Sequence, residues 1–366
     1  MTKLWWAQIK SVIRLEMKKT FFARRSLWIY ILALLPLLLF IGHAFEISHN
    51  QGERNRIARR SEKPLNHQDL LAIKSGMTRD EVIAQLGRPP VRFHWNEQKP
   101  LDDGTAVVIS HESYHYSDGS NDLLIDLADG KVVGIDIRSG YNLPEDSVVF
   151  AGVFQFFYLR LAIFFGCLGI FMNLFRGEIL DKSLHFYFLA PIRREVVMVG
   201  KFLAGLLVTC VIFVTSELLQ IIVFNWSFSP NVRDLYLFQN HGLAHAAAYL
   251  GVTALACLGY GAFFLAAGML FRNPILPAAA ILVWEAVNPF LPALLKKFSV
   301  IYYLKSLCPV DIPSPPGAPP LMTLLVSNPD PVSTPVAILG IVIVALLVLY
   351  VSSFQVRRME INYTTE

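Results

Sequence analysis

Residues 176–201, RGEILDKSLHFYFLAPIRREVVMVGK, form a block of acids and bases around Pro191, set between two strongly apolar stretches. Lysine and arginine in a short connector of this kind resist translocation and hold it on the cytoplasmic face of a membrane. The chemistry open to such a block is recognition rather than catalysis. Arg176, Glu178, Asp181, Ser183, Leu184, Pro191, Arg193, Arg194, Gly200 and Lys201 are its candidate docking residues, with a solvated basic connector as the plainer alternative. A short helix over 178–189, a break at Pro191 and a new helix opening at Gly200 and Lys201 would make the block rigid enough for a soluble partner to push.

A second set of candidates interrupts the apolar stretches themselves. Arg160, Glu217, Glu285 and Asn288 are polar where their neighbours are not. An unpaired charge at the bilayer centre costs about 3 kcal/mol or more, so these side chains are expected to face protein or water, as a path or gating set or as snorkelling residues near span ends. His241 and His245 stand four apart, a chelating spacing on a helix, but no nearby Cys, Asp or Glu completes a ligand set and a membrane-boundary position explains them as well. His111 and His115 would share one face of a strand and read as exposed sheet residues.

No metal, catalytic or cofactor-binding residue is assigned. Gly130-Lys131 and Gly200-Lys201 lack both the upstream Gly and the following Ser or Thr of a phosphate-binding loop, so this chain is not expected to bind ATP itself. The starting residues of G-x-S-x-G hydrolases and EF-hands are also missing, and the one H-E-x-x-H string, His111 to His115, falls in an alternating run expected to be a strand and not on the helix that a metalloprotease motif requires.

Composition fixes what must hold these groups in place. The chain has 366 residues, 54% of them hydrophobic and only 16% charged, and a mean hydropathy of +0.47. That is too apolar for an ordinary soluble enzyme of this length, and the reading is an α-helical polytopic membrane protein. The net charge of +4 is small and gathers beside apolar runs, which argues for topology control and against a nucleic-acid partner. Cys167, Cys210 and Cys257 lie in apolar runs and Cys308 stands alone, so neither a disulfide framework nor a zinc knuckle is indicated.

A spanning helix needs about 20 mostly apolar residues, and six segments meet that length: 27–45, 149–175, 202–224, 243–271, 275–295 and 336–354. An even count puts both termini on one side. Lys3, Lys10, Arg14, Lys18, Lys19, Arg24, Arg25, the 176–201 block, Arg272, Arg357 and Arg358 share that side, which is therefore expected to be cytoplasmic. Lys296, Lys297 and Lys305 run against the bias, as lysines able to snorkel at a helix end. Pro274, Pro277, Pro289 and Pro292 make the fifth segment irregular, and part of 296–335 is open to a re-entrant reading. The first run lacks a small-x-small cleavage site and reads as an uncleaved anchor. Before it, Leu4, Trp5, Ile9, Val12, Ile13, Met17 and Phe21 recur near helical spacing and predict an interfacial amphipathic helix, with Trp5 and Trp6 at headgroup level; the alternative is a cytoplasmic extension of the first span. Residues 1–45 thus hold this helix and the first span, 46–148 a polar insert, and 149–366 five further spans.

The insert is long enough for a small domain and expected outside the cytoplasm. Thr78 and Glu81 form a T-x-x-E capping box opening a helix that Gly87 and Pro89 end. Alternating runs at 107–116, 123–127 and 132–137, separated by Asp118-Gly119 and Asp129-Gly130, predict an antiparallel meander. The G-M-T-x-x-E-V-x-x-x-L-G-x-P pattern, carried by Gly76, Met77, Thr78, Glu81, Val82, Leu86, Gly87 and Pro89, followed by the turn Asp129, Gly130, Lys131 and Val132, resembles the SmpA/OmlA (BamE-like) family of small bacterial envelope domains across 65–137. That resemblance implies a binding or scaffolding module able to meet an envelope protein. The family's lipobox cysteine is absent here.

The 176–201 block in turn resembles the corresponding loop of ABC type 2 exporter permeases, R-x-E-x-x-x-x-[ST]-L followed by P-[IL]-x-R-x-x-x-x-x-G-K, matched by Arg176, Glu178, Ser183, Leu184, Pro191, Ile192, Arg194, Gly200 and Lys201. The resemblance implies a permease subunit of the bacterial inner membrane, paired with a second permease subunit as a homo- or heterodimer and driven by separate ATPase subunits that bind the ATP. The insert between the first two spans departs from the family's pattern and leaves the substrate class open. The alternative is a non-transporting membrane scaffold that displays the envelope module. A third reading is an intramembrane enzyme using Glu217, Glu285 or the His241/His245 pair.

Overall fold

A computed structural model of the chain describes residues 2–21, 27–100, 106–140, 143–180, 187, 192–271, 275–313 and 332–358. The chain divides into two compact units, one of residues 1–41 and 147–366 and the other of residues 42–146.

In the larger unit, α1 (Thr2–Phe21) is a helix described separately from α2 (Leu27–Arg60). The chain re-enters the unit in α5 (Leu143–Gly152), which passes through an 11-residue π-helical stretch, Val153–Ile163, into α6 (Phe164–Leu180). Then follow α7 (Arg194–Trp226), the short α8 (Pro230–Gln239) and α9 (Gly242–Leu270). Five helical stretches, 27–60, 145–178, 194–226, 242–270 and 334–358, are long and apolar enough to cross a membrane.

The fifth expected span is a different object. Helix α10 (Ile275–Val287) has 13 residues, about 20 Å at 1.5 Å per residue, against a hydrocarbon core of about 30 Å. Pro289 and Pro292 have no amide hydrogen to continue it. The chain instead makes a 3-10 turn (Asn288–Phe290), a one-turn helix α11 (Ala293–Lys296) and α12 (Val300–Leu307) before α13 (Thr334–Arg358). Helix α12 packs on α9 and α13. Lys305, expected in an outside segment, is buried on it.

Close packing of helices α6, α7 and α9 depends on missing side chains. A β-carbon at Gly205 or Gly261 would stand 2.8 or 2.5 Å from the ring of Phe171, and one at Gly268 would lie 2.9 Å from the backbone of Met172. Apolar burial gives no drive for helices to associate in lipid, so such close approach supplies the dispersion contacts that hold them together.

In the smaller unit the final part of α2, α3 (His67–Leu71) and α4 (Arg79–Leu86) accompany a four-stranded antiparallel sheet of order β1-β2-β3-β4: Val91–Pro100, Ala106–Ser117, Asn121–Ala128 and Lys131–Ser139. The expected capping box forms, Glu81 N donating to Thr78 Oγ1 at 3.4 Å and Thr78 N to Glu81 Oε2 at 2.8 Å. The Asp129-Gly130 turn takes positive φ at both residues, 49° and 77°, the geometry of a two-residue type I′ hairpin. Leu70, Val82, Leu86, Tyr116, Leu123 and Ile125 form its core. The three-strand expectation misses β1, whose Phe93 and Trp95 are exposed. His111 and His115 are half-buried and paired rather than exposed: His111 stacks on Trp95 and lies 3.0 Å from Glu97, while His115 lies 3.3 Å from Asp122.

Candidate functional site

The two ends of the 176–201 block meet in a buried ion cluster. Lys201, in the second turn of α7, is fully buried, and its Nζ lies 2.6 Å from Glu16 Oε1, 2.7 Å from Glu178 Oε2 and 2.9 Å from the carbonyl of Leu174. Glu178, near the end of α6, also takes Lys19 of α1 at 3.1 Å. The hydroxyl of Tyr187, inside the block, donates to Glu16 at 2.7 Å, and its ring lies 4.6 Å from Lys201 Nζ. Two carboxylates thus balance two ammonium groups. Charges taken out of water persist where geometry and further hydrogen bonds offset the desolvation, and removal of one partner leaves the others uncompensated.

Electrostatics follow from this arrangement. Burial works to raise the Glu16 pKa, but the charge and hydrogen bond of Lys201 and the hydroxyl of Tyr187 outweigh it and hold the carboxyl below its ordinary value. Burial, then the bond to Glu16, pushes the Tyr187 hydroxyl upward, so it stays a donor.

Gly200 explains how α1 reaches the cluster. A β-carbon there would fall 2.9 Å from Val12, so the bare backbone lets α1 lie directly on the first turns of α7. The predicted amphipathic stripe is thereby turned to protein at Val12 and Glu16, while Leu4 and Trp6 remain exposed. Arg193 stacks its guanidinium 5.1 Å from the Trp5 ring. Beside it, Arg194 Nη1 donates to the carbonyl of Arg357 at 2.9 Å, and Arg357 pairs with Glu195, so the last turn of α13 joins the same end of the bundle.

The structure therefore brings Glu178, Gly200 and Lys201 together and places Arg176, half-buried, on the last turns of α6, with Arg193 and Arg194 opening α7. Asp181, Ser183, Leu184 and Pro191, with most of the helix expected over 178–189, lie outside the described residues. Glu16 and Lys19 are the partners that sequence reasoning missed. A signal was present: Glu16 is the lone acid of α1, and it falls on the helix's apolar stripe four residues after Val12.

The intramembrane candidates separate. Glu285 caps α12, accepting from Val300 N at 3.0 Å, Ile301 N at 2.8 Å and Ser299 Oγ at 2.8 Å, a favourable place for a carboxylate at a helix N-terminus. Asn288 ties the following reversal by donating to the carbonyl of Lys296 at 3.3 Å. Arg160, in the π-helical stretch, attracts Glu285 electrostatically and lies 5.3 Å from the ring of Phe156. Glu217 is wholly buried on α7, and neither carboxyl oxygen has a hydrogen-bond partner among the described residues.

His241 opens α9 with a left-handed φ of 61°, and His245 Nδ1 lies 3.2 Å from the hydroxyl of Tyr236. Among the described residues no three His, Cys, Asp or Glu side chains are placed to hold a metal ion.

The fold and this cluster define a multi-pass helical membrane protein carrying a compact α+β unit. Comparison of the chain with protein-family models, with curated proteins and with solved structures finds no match.

Proposed function

We propose that this chain is the transmembrane permease subunit of an ABC type 2 exporter, moved by separate ATPase subunits that bind ATP and dock on residues 176–201, and paired with a second permease subunit. One observation carries the reading: the charge cluster that ties both ends of the block to α1. A push on the block would reach α6, α7 and α1 together, because Glu178, Lys201 and Glu16 share one set of ion pairs. Coupling then requires that the ATPase bind two states of the bundle differently.

The chain path supports both termini on one, cytoplasmic, side. Helix α1 and the end of α13 both meet the start of α7. The end of α9 lies beside the end of α13, where Leu270 and Phe354 line one groove. Helices α9 and α13 therefore run toward the same end of the bundle, and the broken segment from α10 to α12 carries the chain back between them, as a sixth, interrupted crossing. With basic residues at that end, the positive-inside rule makes it cytoplasmic. The bacterial inner membrane, and an extracytoplasmic module that meets an envelope protein, belong to the same proposal and rest on the two sequence resemblances.

The test is to purify the tagged chain in mild detergent and identify what accompanies it. An ATPase subunit is expected with the wild type and lost with Arg193→Glu, a reversal at an exposed position that leaves the ion cluster intact. Recovery of a well-behaved membrane protein with no ATPase would overturn the exporter and favour the scaffold.

A further inference from the structure

Two adjoining apolar grooves run along α13, with cavity volumes of about 460 and 410 Å³, and Phe263, Leu347 and Val348 line both. The first ends among Ser352, Gln355 and Arg358. The second ends at Trp284 and Glu285, whose carboxylate is already occupied by the amides of α12. Among the described residues the grooves therefore have one cationic end, and it lies on the last turn of α13 beside the ion-paired Arg357.

Their length is set by α13. Val344 lines one groove and Arg358 the other, and the fourteen residues of helix from one to the other rise about 21 Å. One leaflet of a bilayer is about 15 Å of hydrocarbon, so this span holds an acyl chain and leaves the arginine at headgroup level. Basic pockets at the cytoplasmic ends of membrane helices select anionic headgroups.

We propose that this double groove is a binding site for one anionic phospholipid of the surrounding bilayer, its phosphate on Arg358 and an acyl chain along Leu347, Val348 and Phe263. The site rests on the chain's membrane-spanning character and not on the exporter reading. The head-to-tail polarity follows from the charge: Ser352 spends its hydroxyl on the carbonyl of Val348, which leaves Gln355 and Arg358 as the donors facing the headgroup.

The experiment is native mass spectrometry of the full chain, purified in detergent, stripped of lipid and titrated with phosphatidylglycerol or phosphatidylcholine. One phosphatidylglycerol per chain is expected to bind in preference to phosphatidylcholine. Arg358→Ala should weaken phosphatidylglycerol about fivefold, the effect of one basic residue at an anionic surface, and leave phosphatidylcholine unchanged. Arg358→Lys should retain binding, and Ala266→Phe, which fills the groove from α9, should reduce both lipids. Equal binding of the two lipids, or insensitivity to Ala266→Phe, would overturn the proposal. So would a spontaneous intermolecular disulfide in Val351→Cys, because a second copy of the chain would then cover the groove.

Discussion

Lys201 and Glu217 occupy the same helix, sixteen residues apart, about 24 Å along its axis, and neither side chain is exposed to solvent. The lysine is met by two carboxylates, a backbone carbonyl and an aromatic ring, whereas the glutamate meets no donor among the described residues. The first is part of what joins α1, α6 and α7. The second makes no such tie among the described residues and costs the desolvation of a polar group. Burial of a charge is therefore no guide to its role until its partners are counted.

The largest effect should come from Lys201→Met, which leaves Glu16 and Glu178 buried against each other. A loss of about 3–5 kcal/mol is expected, seen as failure to accumulate or as a sharply lowered melting temperature in detergent. Restoring charge balance with Glu16→Gln in the same chain should recover a substantial part, and an additive double mutant would show that the two do not form one cluster.

Glu217→Leu should move stability the other way, raising it by about 1–3 kcal/mol as the unpartnered polar group is removed. A fall of that size in the same melting assay would mean that the carboxyl has a partner and would erase the contrast with Lys201.

Glu16→Gln alone should cost about 2 kcal/mol at neutral pH, the worth of a hydrogen bond to a charged group. Because its folded pKa is depressed, the Glu16 carboxylate stabilises the fold above the unfolded value of about 4.3, and that contribution disappears as pH falls through the folded value. The wild type should thus show an acid-side decline that the variant lacks.

The smallest effect concerns the other unit, where burial is partial. Asp122 pairs with Arg54 at 2.8 Å and His115 at 3.3 Å, and these bonds overcome burial to lower its pKa. Asp122→Asn should cost about 1 kcal/mol, with the difference vanishing as pH drops below the ordinary aspartate range. Hydrogen exchange of β2 and β3 in the full chain would measure it.

What the residues disclosed in advance follows the range of the interactions. Thr78 and Glu81 stand three apart, and Asp129 and Gly130 are neighbours, so their cap and turn are local and were legible. The lysine of the Gly200-Lys201 pair was equally visible, but its partner Glu16 lies 185 residues away, beyond the reach of any pattern within a helix. The strand β1 did carry a signal, Val91, Phe93 and Trp95 alternating with Arg92, His94 and Asn96, but that alternation marks no buried face, because the side chains on both faces are exposed from Arg92 to Glu97. The run of α2 through Arg60 was hidden because its last fifteen residues, EISHNQGERNRIARR, hold only two large apolar residues, Ile47 and Ile57, and several weak helix formers, among them Gly52, Asn50 and Asn55. The irregularity of the fifth segment was legible in Pro289 and Pro292, which decide where a helix of that composition must stop, whereas its apolar length alone did not disclose that the helix is only 13 residues long.

The ring of Phe171 sits against two glycines from two other helices, Gly205 and Gly261. A helix sliding along its own axis would have to drive a neighbouring β-carbon or backbone through that ring, since the glycine opposite it is the one place where the ring fits. Helices α6, α7 and α9 are keyed like tumblers around one pin. Sliding of any one of these three helices against the others is thereby opposed at this ring.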